Sequence, residues 1–261
     1  MENVGYNANM ARTNQIQKEH IEESERRVAI LIDGDNAQAS LIEQILVEAG
    51  KYGNATIRRV YGDWTTPNMN SWKATLNIHA FQPIQQFRYT VGKNATDSAM
   101  IIDAMDLLHS DQVDGFCLVS SDSDYTRLAT RLRESGLLVV GIGEKKTPRA
   151  FVSACNVFIY TENLSRRNQS GGNGRRKTNH MSSQERELVE LISQAMDMVG
   201  PDDDGWTRLS EVGTALRRID PGFDPRSYGF RQVSQLVKGR GEQFEMRKIA
   251  NGAIIEIRLR D

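Results

Sequence analysis

The chain has 261 residues, 39% of them hydrophobic and 26% charged, with 33 basic against 34 acidic side chains. No stretch approaches the roughly 18 apolar residues of a membrane span, and the formal net charge of −1 hides an uneven distribution along the chain. The length suits one medium α/β domain plus a second of about 70–80 residues, each able to bury its own core.

Residues 1–25 are rich in Asn, Gln and Glu and lack the apolar core of a secretory signal, so they are read as a flexible polar arm followed by a short acidic helix leading into the fold, and export by that route is not expected. Arg27-Val-Ala-Ile-Leu-Ile-Asp is then a nearly continuous apolar run ending at an acid, the pattern of a strand buried on both faces of a parallel sheet. The spacing of Leu41, Ile42, Ile45, Leu46 and Ala49 predicts a helix over 37–49. A second strand is expected over 55–61, a helix from Pro67 to His79, a third strand over 84–89 and a helix from about Thr96. Strand four covers 115–119, a helix follows over 125–135, strand five covers 137–142, and residues 148–154 lead into a last strand over 157–160. Strict alternation of strands and helices predicts an α/β fold, a doubly wound parallel sheet with helices on both faces, occupying residues 26–164. Cys117 and Cys155 sit in apolar runs without a CxxC neighbour, and read as buried thiols of a cytoplasmic protein.

Residues 165–182 carry Arg166, Arg167, Arg175, Arg176 and Lys177 with no acid, among Gly, Ser and Asn. Such a composition builds no core and is expected to form a basic flexible linker, with Arg175, Arg176 and Lys177 able to touch phosphates. In residues 183–261 two helices carry Leu188, Leu191, Ile192 and Ala195, then Leu209, Val212 and Leu216. A third is expected to start with Asp224 as N-cap and Pro225 at its first position and to run through Tyr228, Val233, Leu236 and Val237. Strands over 244–249 and 254–259 then flank Asn251-Gly252, a type I′ hairpin signal, which completes the element order of a winged-helix domain.

Four acids stand where strands give way to helices: Asp33 after strand one, Asp97 in the first turn of the third helix, and Asp122 and Asp124 after strand four. If strands one and four are neighbours, these positions converge at the carboxyl edge of the sheet, at its switch point. Gathered carboxylates repel one another unless cations are bound, and hard oxygen donors select Mg²⁺ or Mn²⁺. That chemistry points to hydrolysis of a phosphodiester. Asn36 either caps the first helix or orients a carboxylate, Asp35 is taken to face outward, Asp63 is read as a loop acid, and Lys93 either contacts a phosphate or neutralises the cluster, or is simply a solvated lysine.

Val28-Ala-Ile-Leu-Ile-Asp-Gly-Asp-Asn, Lys93-Asn-Ala-Thr-Asp, Val119-Ser-Ser-Asp-Ser-Asp-Tyr and Val139-Val-Gly-Ile-Gly, in that order, resemble the motifs of the NYN domain in its LabA-like branch. The resemblance implies a PIN-like fold, association with RNA cleavage, and an acidic metal site of Asp33, Asp97, Asp122 and Asp124 supported by Asn36 and Ser121. Relatives often carry an acid where this chain has Asn156, but none of the four acids is missing. The segment with Trp206-Thr-Arg-Leu-Ser-Glu-Val and Phe223-Asp-Pro-Arg-Ser-Tyr-Gly-Phe resembles the LOTUS/OST-HTH domain, which implies RNA binding, single-stranded or structured, and also protein partners. Trp206, Phe223, Tyr228 and Phe244 are expected in its core, and Arg217, Arg218, Arg226, Arg231, Lys238 and Arg240 are its candidate phosphate contacts. The leading expectation is a metal-dependent ribonuclease. The alternatives are a non-catalytic RNA- or protein-binding regulator on the same scaffold, and, third, a phosphatase of small nucleotides. Nothing in the residues separates RNA from DNA.

Overall fold

The computed structural model describes residues 25–87, 95–165 and 183–260. They belong to two compact units, an N-terminal α/β unit and a C-terminal helical unit with a small sheet. Residues 1–24, Lys93, Arg175, Arg176 and Lys177 lie outside the described residues.

In chain order, the elements of the larger sheet and its helices are β1 (Arg27–Asp33), α1 (Ile42–Ala49), β2 (Asn54–Gly62), α2 (Asn70–Ile78), β3 (Gln82–Gln85) and α3 (Ala95–His109). They continue as β4 (Gly115–Val119), α4 (Thr126–Glu134), β5 (Leu138–Gly143), α5 (Arg149–Ala154), β6 (Val157–Tyr160) and α6 (Thr161–Ser165). The six strands form one sheet in the order β3-β2-β1-β4-β5-β6. Pairings β1–β2, β1–β4, β2–β3 and β4–β5 are parallel. The strand order explains the sequence pattern: β1 and β4 are central, so their side chains from Val28 to Asp33 and from Gly115 to Val119 are buried on both faces. The chain moves outward from β1 to β3 and then crosses back to β4. Because crossovers are right-handed, this reversal puts α1 and α2 on one face and α3 to α5 on the other.

Strand three lies two residues earlier than the apolar run 84–89 predicts. Register decides it: Tyr61 pairs with Ile84 and Arg59 with Gln82, and Pro83, which has no N–H, is tolerated because β3 is at the sheet's edge. Residues 88 and 89 lie outside the described residues. The predicted helices over 37–49, 67–79 and 125–135 each open with a 3₁₀ turn, at Ala39–Leu41, Pro67–Met69 and Ser123–Tyr125. Cys117 and Cys155 are buried free thiols, and burial raises the Cys155 thiol to about 12.

The second unit holds α7 (Ser183–Val199), β7 (Thr207–Arg208), α8 (Leu209–Ile219), α9 (Val233–Lys238), β8 (Phe244–Ile249) and β9 (Ile254–Leu259). Leu188, Ile192, Val212, Leu216, Leu236, Phe244 and Ile257 make its core. Three expectations change here. The third helix is broken: Asp224 caps a 3₁₀ turn at Pro225–Tyr228, accepting from the Arg226 N–H at 2.8 Å, and Gly229 at φ 85° turns the chain before α9 starts. The hairpin closes through residues 250–253 rather than a two-residue turn, with left-handed backbone at Ala250 and Gly252 and Ile249 paired to Ile254. Its sheet gains β7, giving the order β7-β9-β8.

Among the described residues no helix is long and apolar enough to cross a membrane.

The close approach of β1 to β2 just below the acids rests on Gly34, whose N–H donates to the Tyr61 carbonyl at 2.8 Å. A Cβ on Gly34 would stand 2.8 Å from that carbonyl oxygen, 2.7 Å from the Met69 methyl and 2.9 Å from a Val60 methyl. Gly34→Ala is therefore expected to destabilise the protein by about 1–3 kcal/mol through overpacking against backbone that cannot yield. Chemical denaturation of the two forms measures it.

Candidate functional site

The β1–β4 pairing places the end of β1 and the loop after β4 side by side at the carboxyl edge. Asp33, the last residue of β1, is fully buried. One carboxylate oxygen accepts from Asn36 Nδ2 at 2.7 Å and from Ser120 Oγ at 3.0 Å. The other, Oδ1, is buried and has no hydrogen-bond partner. A buried carboxylate with one oxygen unsatisfied is costly unless a cation, a water or a proton reaches it.

Asp97 lies in the first turn of α3, nearly buried, and accepts from the Tyr125 hydroxyl at 2.7 Å. Asp122 is the N-cap of the Ser123–Tyr125 turn and accepts from the Asp124 N–H at 2.9 Å. Through this cap the spacing Asp122-Ser-Asp-Tyr turns both acids toward one place while sending Tyr125 inward against Asp97. Oxygens of Asp97, Asp122 and Asp124 lie within 4.8 Å of one another, running from buried to exposed. Asp33 is outside this group of three but feels the Asp97 charge.

Burial, and secondarily the charges of Asp97 and Asp35, raise Asp33 to about 6, although the bonds from Asn36 and Ser120 oppose the shift. Burial also raises Asp97; the Tyr125 bond opposes this, and Asp122, Asp124 and Asp35 reinforce it. Burial and the neighbouring carboxylates push the Tyr125 hydroxyl far upward, so it remains a donor.

Several supporting residues differ from expectation. Of its two expected roles, Asn36 takes that of orienting a carboxylate. Ser120, not Ser121, reaches the acids; Ser121 Oγ instead accepts from the Glu144 N–H at 2.8 Å and ties the ends of β4 and β5 together. Asp35 does not face outward: it accepts from Thr96 Oγ1 at 3.0 Å, joining the loop after β1 to the start of α3. Nothing in the sequence distinguishes Ser120 from Ser121. Tyr125 carried a usable signal, since it directly follows the paired acids. Asp63 is a loop brace, accepting from Thr65 and from Gln85 Nε2 at 3.0 Å.

In the second unit the candidate cations separate into two sets. Arg226 is bound to Asp224 at 2.7 Å, and Arg240 is held by Glu185 at 3.7 Å and lies 5.9 Å from the Phe230 ring centre, so both serve the unit's own structure. Arg217, Arg218, Arg231 and Lys238 are exposed. Trp206 is not in the core; it is half-buried against the hairpin, with the Arg247 and Arg258 guanidiniums 4.3 and 4.8 Å from its ring centre. Phe223 and Phe244 are core, and Tyr228 packs against it.

Comparison with family models matches residues 27–164 to the NYN domain, over the whole stretch that builds the acidic edge. The chain belongs to the NYN family. Residues 179–255 match the OST-HTH/LOTUS domain, so an NYN domain is followed by an OST-HTH/LOTUS domain. No curated protein matches the chain. Among solved structures, a protein of unknown function from Vibrio parahaemolyticus is 19% identical, with TM-score 0.44, covering 53% of this chain and 94% of that one. An uncharacterised Nitrosomonas europaea protein is 23% identical, with TM-score 0.27, covering 36% of this chain and 92% of its own. The WlbA dehydrogenase of Bordetella pertussis is 13% identical, with TM-score 0.30, over 69% and 42%.

The Asp33 environment gives a pH prediction for metal-free protein. Its folded value of about 6 exceeds the ordinary 3.8, so between these pH values the folded chain holds a proton that the unfolded chain has lost. Stability therefore falls as pH rises through that window, and the full cost stands above it. Asp33→Asn is expected to be more stable than the parent NYN protein at pH 7 by about 1–3 kcal/mol and to show no advantage below about pH 4. Melting curves in EDTA across that range test this.

Proposed function

We propose that this NYN protein is a divalent-metal-dependent ribonuclease that hydrolyses phosphodiester bonds at the carboxyl edge of its first unit. The observation that carries the reading is the convergence of Asp97, Asp122 and Asp124 within 4.8 Å beside buried Asp33, whose second oxygen has no partner. Such a group tolerates ionisation at neutral pH when a cation neutralises it, and its all-oxygen donor set suits Mg²⁺ or Mn²⁺.

Asp97, Asp122 and Asp124 would hold the metal, with Asp33 contributing from the buried side. When bound, Mg²⁺ or Mn²⁺ supplies positive charge for the phosphate oxygens and lowers the pKa of water. The remaining residues act by positioning. Asn36 and Ser120 hold one oxygen of Asp33 so that the other faces away from them, Tyr125 fixes Asp97, and the Asp122 cap sets the angle of Asp124. In this reading Lys93 and the linker residues Arg175, Arg176 and Lys177 contact phosphates. Residues 26–164 form the hydrolytic unit, 165–182 the linker and 183–261 the RNA-holding unit, where exposed Arg217, Arg218, Arg231 and Lys238 supply further contacts.

Purified full-length protein is expected to cleave labelled RNA with Mg²⁺ or Mn²⁺ and to stop in EDTA. Asp122→Asn should lose about 100-fold or more of the rate while melting no lower than the parent. Assayed beside DNA of the same sequence, the parent should prefer RNA. Metal-independent turnover, or full activity in the variant, contradicts the assignment.

A further inference from the structure

The acidic edge creates a problem for a polyanionic substrate. Asp33, Asp35, Asp97, Asp122 and Asp124 crowd one end of the sheet, and metal binding offsets only part of that charge. Binding energy that does not depend on phosphate contacts is therefore valuable there, and a nucleobase offers it through its uncharged face.

Next to the acids, one strand away, stands an aromatic side chain on the rim. Tyr61 in β2 is the register partner of Asp33, and Trp64 comes three residues later. With a strand rise of about 3.3 Å and a spacing of about 4.8 Å, the Trp64 backbone is roughly 11 Å or less from that of Asp33. The first unit's other tryptophan, Trp72, is 1% exposed and belongs to the core, whereas Trp64 is only half-buried. Trp64 is also pinned. Its indole N–H donates to the Ile84 carbonyl at 2.9 Å, and its backbone N–H to Gln85 Oε1 at 3.0 Å. Gln85 in turn donates to Asp63 Oδ1 at 3.0 Å, an oxygen that also takes the Thr65 hydroxyl at 2.6 Å. Phe87, two residues beyond Gln85 at the same edge, is 49% exposed.

We infer that Trp64 is a stacking platform for an unpaired base of single-stranded RNA, seating the nucleotide beside the bond that enters the acidic site. Its hydrogen bonds hold the ring in place before binding, so little side-chain freedom is lost when a base stacks on it. Phe87 extends the apolar rim. Stacking of this kind accepts any base, and the platform therefore selects for unpaired strands rather than for a sequence. The inference rests on the ribonuclease reading.

The test uses the full chain and a ten-nucleotide single-stranded RNA, together with versions in which one nucleotide at a time is made abasic. For the intact RNA, Trp64→Ala is expected to lower kcat/KM by about 5- to 100-fold, mainly through KM, and Trp64→Phe to keep most of it. At one abasic position the parent should lose the same factor, and there Trp64→Ala should cost little more. Unchanged kcat/KM in Trp64→Ala overturns the inference. Equal losses in Trp64→Ala on intact and all abasic RNAs also overturn it, since they make Trp64 a brace of the edge. A Trp64→Ala protein too unstable to assay leaves the decision to Trp64→Phe and the abasic scan of the parent: no position-specific abasic loss overturns the platform. If the parent cleaves no RNA, the ribonuclease reading fails instead.

Discussion

The pairing of β1 with β4 at the centre of the sheet is the constraint on which the site depends. It exists because the chain runs outward to β3 and then returns across β1, and it leaves the ends of two fully buried strands next to each other with no helix between them. Asp33 arrives there because β1 ends on it, and Asp122 and Asp124 because the turn after β4 is capped by the first of them. Asp97 joins from the first turn of α3, where Tyr125 meets it. Burial of the apolar strands thus places the acids.

That arrangement works against stability locally. A carboxylate at the end of a central strand has been stripped of water and receives two hydrogen bonds on one oxygen and none on the other. Its raised pKa expresses the same cost in another form. Structural acids elsewhere in the unit show the contrast. Asp114, bound by Arg27 through both its backbone and its guanidinium at 2.7 to 3.1 Å, is held down at about 2. Asp63 accepts from the Thr65 backbone and hydroxyl and from the Gln85 amide, which tie the loop after β2 to β3. Asp114 is paired with a cation, whereas the acids at the switch point receive only neutral donors and lie beside one another.

Much of this was legible in the sequence. Continuous apolar runs revealed the central strands, alternation revealed the layers, and acids at strand-to-helix junctions pointed to the edge where Asp97, Asp122 and Asp124 come together, because those signals arise from burial and from chain connectivity. Features set by partners far along the chain were not legible. The register of β3 depends on β2, the inward turn of Asp35 depends on Thr96, and the choice of Ser120 over Ser121 depends on which way the strand's last side chain points. In the second unit the pattern Asp224-Pro225 marked a helix start correctly, but the left-handed Gly229 split the element, and Trp206 stacked on arginines of the hairpin instead of entering the core. An aromatic in a motif shows that a large ring is needed, not which face of the domain it covers.

In the proposed reading the repulsion at the switch point is relieved by a divalent cation. Mn²⁺ titration of the full-length, nucleic-acid-free protein, followed by electron paramagnetic resonance, tests this without reference to turnover. Saturable binding is predicted for the parent, weakened by about tenfold or more in Asp97→Asn and in Asp122→Asn, since losing a ligand costs at least what losing its supporting partner does. No saturable binding in the parent, or unchanged binding in both variants, would contradict it.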